Sequence, residues 1–254
     1  MGSGVRLMAP GQLPSDPVAI QVAMDQEAAP FLAAAESREH LRTLGPADFH
    51  RLEFDFGPAV LIRSGIGLAN ATTATTQAAM LYEPRAVISA GSAGGVGEDI
   101  AIADVVIADS VRFHDSDATA FGYEPGQVPD MPAAYPADAR LLAAGRQWAA
   151  ENTRVKFGEA LSGASFITEA NIGHMRQTFP AALSTDMETA AIAQTAHTFG
   201  VPFGAVRAIS DLCGPKAEDD FSLSLDEAAE MSAEATLGLL RAFNAQGGAD
   251  VADV

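Results

Sequence analysis

The chain has 254 residues, 48% hydrophobic and 19% charged, a composition that supports a sizeable core in one large domain or two small ones. Its 33 acids against 15 bases leave a net charge of −18, which argues against nucleic acid and anionic membrane as partners, and no apolar run approaches a bilayer-spanning length. The single cysteine, Cys213, excludes an intramolecular disulfide framework and fits the reducing cytoplasm.

Residues 1–16 lack the apolar centre of a secretory signal and read as a disordered leader. Residues 17–24 read as a strand, and 25–44 as a helix bent at Pro30. Residues 50–56 and 59–65 read as a strand pair turning at Gly57-Pro58. A helix over 70–83, stopped before Pro84, leads to a buried strand at 85–91. A long strand follows at 104–114. Residues 115–137 are rich in Pro and Gly yet carry Phe121, Tyr123, Met131 and Tyr135. A loop this long inside a compact domain is usually functional or covered by a partner. Next come a helix at 138–151, a strand at 155–165 and a short helix from Thr168. A strand at 182–188 runs into a helix at 189–200. A strand at 201–210 and a helix at 223–245 close the chain, and 247–254 read as a disordered tail. No repeat or low-complexity linker divides it. The pattern predicts a single three-layer α/β/α domain over 17–246 with a mixed central β-sheet.

Four segments carry candidate chemistry. In SAGSAGGVGED (89–99) a strand meets a glycine-dense stretch. Gly91, Gly94, Gly95 and Gly97 do not fit the G-x-G-x-x-G spacing, and residues 100–109 read as strand, so no helix N-terminus is aimed at a phosphate. Two readings remain: a tight turn between strands, or a backbone cradle for a sugar or base with the Ser92 hydroxyl beside it. In STDMETAA, Asp186 and Glu188 share a face if the segment is extended, with Met187 opposite. Either acid could favour a helix N-terminus, or Glu188 could grip paired sugar hydroxyls with its two acceptor oxygens. Asp211 ends an apolar strand, where open α/β sheets place ligands, and burial there would raise its pKa; it could equally cap a turn. Glu27 falls in the first turn of a helix, where acids serve the dipole. Yet Glu27, Ser92, Glu188 and Asp211 each follow a predicted strand and could converge on one pocket.

GSAGG (91–95), FHDSDATAFGYEPGQVP (113–129), SGASFIT (162–168), STDMETAAIA (184–193) and VPFGAVRAISD (201–211) occur in this order. Together they resemble the 5'-methylthioadenosine/S-adenosylhomocysteine nucleosidase branch of the nucleoside phosphorylase superfamily, from Pro17 to the last helix. The resemblance implies a nucleoside phosphorylase-like fold, a cytoplasmic homodimer, and hydrolysis of a nucleoside's N-glycosidic bond without metal or other cofactor. Asp211 would then protonate or hydrogen-bond adenine N7, with Ser210 supporting its loop. Glu27 would activate the attacking water, and Ser92 would sit near that water and Asp211. Glu188 would hold the ribose hydroxyls and Met187 would pack on the sugar. Phe166 would stack on adenine while the Ile167 backbone bonds the base edge. Ile66 and Phe221 would line the thioalkyl end, joined by Phe121 and Pro129 of a partner subunit. A phosphorylase of the same fold needs a cationic phosphate pocket. Here the matching loop, AMDQE (23–27), is acidic, leaving Arg63 and Arg207 as possible anion ligands. Two more activities fit the same fold: a nucleosidase for aminodeoxyfutalosine, which shares the base and ribose contacts, and a non-catalytic nucleoside-binding or storage protein.

Overall fold

A computed structural model of the chain describes residues 16–249, apart from 151 and 174. The first half runs β1 (Val18–Val22), α1 (Asp25–Ala34), β2 (Ser37–Leu44), β3 (Ala47–Phe54), β4 (Gly57–Arg63), α2 (Leu68–Tyr82) and β5 (Ala86–Gly95). Then come β6 (Val105–Phe113), a 3-10 turn (Thr119–Phe121), β7 (Tyr135–Pro136), α3 (Ala139–Trp148), β8 (Val155–Ser162) and α4 (Met175–Thr178). The chain ends with β9 (Ala182–Asp186), α5 (Thr189–Phe199), β10 (Phe203–Asp211) and α6 (Ala217–Ala249).

Strand alternation builds the layers. Val18, Ile20 and Val22 of β1, with Ala59 and Leu61 of β4, enter one apolar cluster. Ala19, Val60 and Ile62 enter the other. Helices α1, α3 and α6 pack on the first face, and α2 with α5 on the second. In α2 the buried residues Ala71, Ala74, Thr75, Ala78 and Tyr82 fall on one helical stripe. The sheet between them is mixed: β1 runs parallel to β4 and β5, whereas β5 and β9 are antiparallel. Because β10 bonds both β5 and β6, the strands β5, β10, β6, β8 and β9 close into a ring. From β5 the sheet continues through β1, β4 and β3 to the edge strand β2.

Several elements differ from the sequence reading. The helix predicted over 25–44 stops at Ala34, and residues 37–44 are the edge strand β2. Its exposed Glu and Arg have helix propensity, but pairing with β3 across a turn at Gly45 (φ +62°) decides the outcome. The turn predicted at Gly57-Pro58 lies at Asp55-Phe56 instead, since Phe54 pairs with Gly57 and Pro58 already belongs to β4. No turn interrupts the glycine-dense stretch at 89–95, where β5 runs fully buried to Gly95. The short helix expected from Thr168 begins at Met175. The last helix starts at Ala217 and runs to Ala249, so 247–249 of the expected tail are helical. Residues 250–254, like 1–15 of the expected leader, lie outside the described residues.

Candidate active site

Glu27 sits in the first turn of α1, immediately beyond β1, and is 2% exposed. The residue before the helix, Met24, has no side-chain oxygen to cap it. Glu27 reaches back instead, its Oε2 accepting the N–H groups of Ala23 (2.9 Å) and Met24 (3.1 Å). Its Oε1 accepts the N–H (2.8 Å) and the hydroxyl (3.0 Å) of Ser92. Helix start and site are therefore served by one carboxylate, held by four donors.

The glycines of β5 make this approach possible. Gly91 has φ +140°, and a Cβ there would overlap Glu27 Oε1 and stand 2.6 Å from an Arg207 nitrogen. At Gly94 a Cβ would stand 2.5 Å from Cys213 Sγ and 3.2 Å from Asp211 Oδ1. The tight turn of the sequence reading is not found, whereas Ser92, Ala93 and Gly94 do border the cavity, as the cradle reading has it. The segment is a bare strand against which neighbouring side chains close.

Asp186 and Glu188 divide two tasks between them. Asp186 Oδ1 accepts the N–H groups of Glu188 (3.0 Å) and Thr189 (2.9 Å) and the Ser162 hydroxyl (2.6 Å), which fixes the start of α5. Its Oδ2 takes the Thr189 hydroxyl and lies 2.9 Å from Arg207 Nε. Arg207 is wholly buried and also donates to Ser89 Oγ (2.7 Å) and to Thr189 Oγ1. Among the described residues Glu188 takes only the Gly67 N–H, at 2.7 Å, and it faces the cavity. Burial, and next the Asp186 charge, push its carboxyl up to about 7, against the pull of Arg207 and the Gly67 N–H. Met187 does not lie opposite the two acids. The chain leaves the extended path after β9, and all three residues border the same cavity.

Asp211 ends β10, is 1% exposed and has its pKa raised, chiefly by burial. The Cys213 N–H (2.9 Å) and the Ser210 hydroxyl (3.1 Å) pull the other way, and the Asp220 charge adds to the rise.

These groups enclose a cavity of about 280 Å³. Glu27, Ser92, Glu188, Ser210 and Asp211 supply its polar wall. Ile66, Phe166, Met187 and Phe221 supply the apolar one. The rings of Phe166 and Phe221 meet edge to face at 5.6 Å, joining the loop after β8 to the start of α6. Ile167 borders a smaller recess of about 30 Å³, to which Phe166, Met187 and Asp211 also contribute. Phe121, 84% exposed, and Pro129, also exposed, do not border the cavity of their own chain. No Lys or Arg among the described residues borders it either: Arg63 pairs with Asp25 and Asp48, and Arg207, paired with Gly91 in the register of β10 and β5, reaches that glycine on the same side as Glu27.

Thr185 and Thr189 escaped the sequence reading, whereas Asp186 takes the helix-start role which that reading left open to either acid. Asp186 and Thr189 anchor the chain that aims Glu188, and Thr185 lines the cavity with a buried hydroxyl. The Asp-x-x-Thr spacing across a strand-to-helix junction is the signal that pointed to the first pair.

The family model described as the phosphorylase superfamily matches residues 17–244. The 5'-methylthioadenosine/S-adenosylhomocysteine nucleosidase of Chromohalobacter salexigens is 41% identical over 85% of this chain and 93% of its own length. The crystal structure of the nucleosidase of the same description from Neisseria meningitidis, in complex with methylthio-immucillin-A, superposes with a TM-score of 0.86 at 35% identity, covering 89% of this chain and 99% of that one. The native structure of the futalosine hydrolase of Helicobacter pylori gives a TM-score of 0.83 at 27% identity over 89% of this chain and 97% of that one.

Proposed function

The chain belongs to the phosphorylase superfamily, in its 5'-methylthioadenosine/S-adenosylhomocysteine nucleosidase branch. From that premise and the cavity we infer that it hydrolyses the N-glycosidic bond of methylthioadenosine and adenosylhomocysteine, releasing adenine and the 5-thioribose product. The observation that carries the mechanism is the meeting of Glu27, Glu188 and Asp211 on one cavity that no Lys or Arg among the described residues borders.

Adenine lies between Phe166 and the Ile167 backbone with N7 at Asp211. The raised pKa of Asp211 suits it to hold a proton and give it to the departing base, with Ser210 Oγ orienting the carboxyl. Such general acid help contributes about 10²- to 10⁴-fold. The ribose hydroxyls donate to Glu188, and Met187 packs on the sugar. As the C1'–N9 bond lengthens, the sugar takes on oxocarbenium character, which carboxylates at Glu188 and Glu27 stabilise more than they stabilise the neutral ground state. Glu27 takes a proton from the water whose oxygen bonds C1', with Ser92 fixing the Glu27 oxygen nearest β5.

The thioalkyl tail runs towards Ile66, 53% exposed, and Phe221. That opening is covered in a homodimer by Phe121 and Pro129 of a second copy, a reading supported by the full exposure of an aromatic ring on a long loop. No helix among the described residues is long and apolar enough to cross a membrane. The chain's charge and single cysteine support a cytoplasmic enzyme.

A phosphate-free panel of methylthioadenosine, adenosylhomocysteine, aminodeoxyfutalosine and inosine tests the reading. Adenine release from the first two, with a loss of at least ~10²-fold in Asp211→Asn, is expected. Turnover that requires phosphate and yields a ribose 1-phosphate would overturn it, as would adenine binding without turnover. Preference for aminodeoxyfutalosine would reassign the tail pocket.

A further inference from the structure

The strand register sets three residues in one row across the closed end of the sheet. Thr185 of β9 pairs with Gly94 of β5, and Asp211 of β10 pairs with the same Gly94. Residues paired across neighbouring strands project to the same face, so Thr185 and Asp211 stand on one side of the sheet with a bare glycine between them. One strand spacing is about 4.8 Å, which leaves about 10 Å between the flanking positions. The Cys213 sulfur closes over Gly94 itself, and Thr185 and Asp211 both border the cavity beside it.

Thr185 is 4% exposed and borders both the cavity and the recess beside it. Its Oγ1 is buried and has no hydrogen-bond partner among the described residues. A buried hydroxyl without a partner destabilises the empty protein, and in a cavity wall it is satisfied by what fills the cavity.

We propose that Thr185 is a further base-binding residue, its hydroxyl donating to N3 of adenine on the edge opposite the N7 that Asp211 serves. This rests on the reading that adenine occupies the cavity. N7 and N3 lie on opposite sides of the glycosidic axis of a purine, so a base held by N7 at Asp211 turns N3 towards β9. N3 is an acceptor only, and a threonine hydroxyl supplies the donor. Drawing electron density from N3 also assists the base as a leaving group.

Thr185→Val keeps the side-chain shape and removes the donor. Calorimetry with adenine and with 3-deazaadenine, whose C–H replaces N3, reads the contact directly. Adenine is expected to bind the valine variant about five- to tenfold more weakly, with 3-deazaadenine changed less than about twofold. Thr185→Ser, which keeps the donor, stays within about twofold of wild type for both. The empty valine variant melts no lower than wild type, because it loses an unsatisfied hydroxyl. Equal weakening of both ligands, or undiminished adenine binding, overturns the contact alone. A wild type that neither binds adenine nor releases it from methylthioadenosine removes the functional reading, and this contact with it.

Discussion

Replacing Glu188 with glutamine separates what the site costs the fold from what it does for the reaction. Burial first and the Asp186 charge second lift the Glu188 carboxyl from 4.5 to about 7. The folded protein therefore binds this proton more tightly than the unfolded chain does. Stability from the group is complete below 4.5 and is lost as pH rises through about 7. At about 1.36 kcal/mol per pH unit, the gap between 4.5 and about 7 is worth roughly 3 kcal/mol. Glutamine retains an acceptor for the Gly67 N–H, 2.7 Å from Oε1 in the wild type, and carries no charge. Urea denaturation of both proteins, near pH 5 and near pH 8, isolates the effect. Between those conditions Glu188→Gln should gain about 2–3 kcal/mol on the wild type. It should also lose adenine release from methylthioadenosine. Stability curves that run parallel in pH would refute the reasoning, because Glu188 would then carry no buried charge above neutrality.

Gly91→Ala should reduce activity at least ~10²-fold while leaving secondary structure intact by circular dichroism, since a methyl there displaces the Glu27 carboxylate held by Ser92. Near-wild-type kcat would mean that the Glu27 geometry is not needed. Phe121→Ala should raise KM for methylthioadenosine about tenfold, from the loss of a ring against the tail. Mixing refolded Phe121→Ala and Asp211→Asn subunits should recover activity above either parent, as one site per mixed dimer has an intact acid and an intact partner loop. Absence of recovery in a preparation that sediments as a dimer would sink the shared site.

The fold was legible wherever burial leaves a periodic trace. Strands such as β1 and β10 are apolar on both faces, and α2 carries its buried residues on one stripe. β2 left no such trace, being an edge strand whose exposed side chains have no alternation to read. The carboxylates at strand ends were legible because α/β sheets set ligands there. Their division of labour was not. Asp186 and Glu188 look equivalent in STDME, and only the turn of the chain after β9 commits Asp186 to the helix start and leaves Glu188 facing the cavity that both border. The glycines misled for a related reason. Gly91 and Gly94 are small because Glu27, Asp211 and Cys213 approach them, and those residues lie far away in sequence.

The placement of Arg207 decides what the cavity attracts. Burial alone would lower its pKa, yet Asp186, Glu27 and Glu188 together hold it above the usual arginine value. Its guanidinium pairs with Asp186 and donates to the hydroxyls of Ser89 and Thr189, so its hydrogen bonds go to the scaffold. Glu27 and Glu188 face the cavity, whose wall holds no Lys or Arg among the described residues. Two like charges at 4 Å repel by about 4 kcal/mol at an effective dielectric constant near 20. A phosphate dianion standing where the nucleophile must stand, beside Glu27, meets that repulsion, whereas a neutral water does not. The same two carboxylates attract the cationic sugar that forms as adenine departs. One arrangement of charge thus disfavours phosphorolysis and lowers the barrier to hydrolysis, with the buried arginine holding the acids in register rather than neutralising them at the substrate.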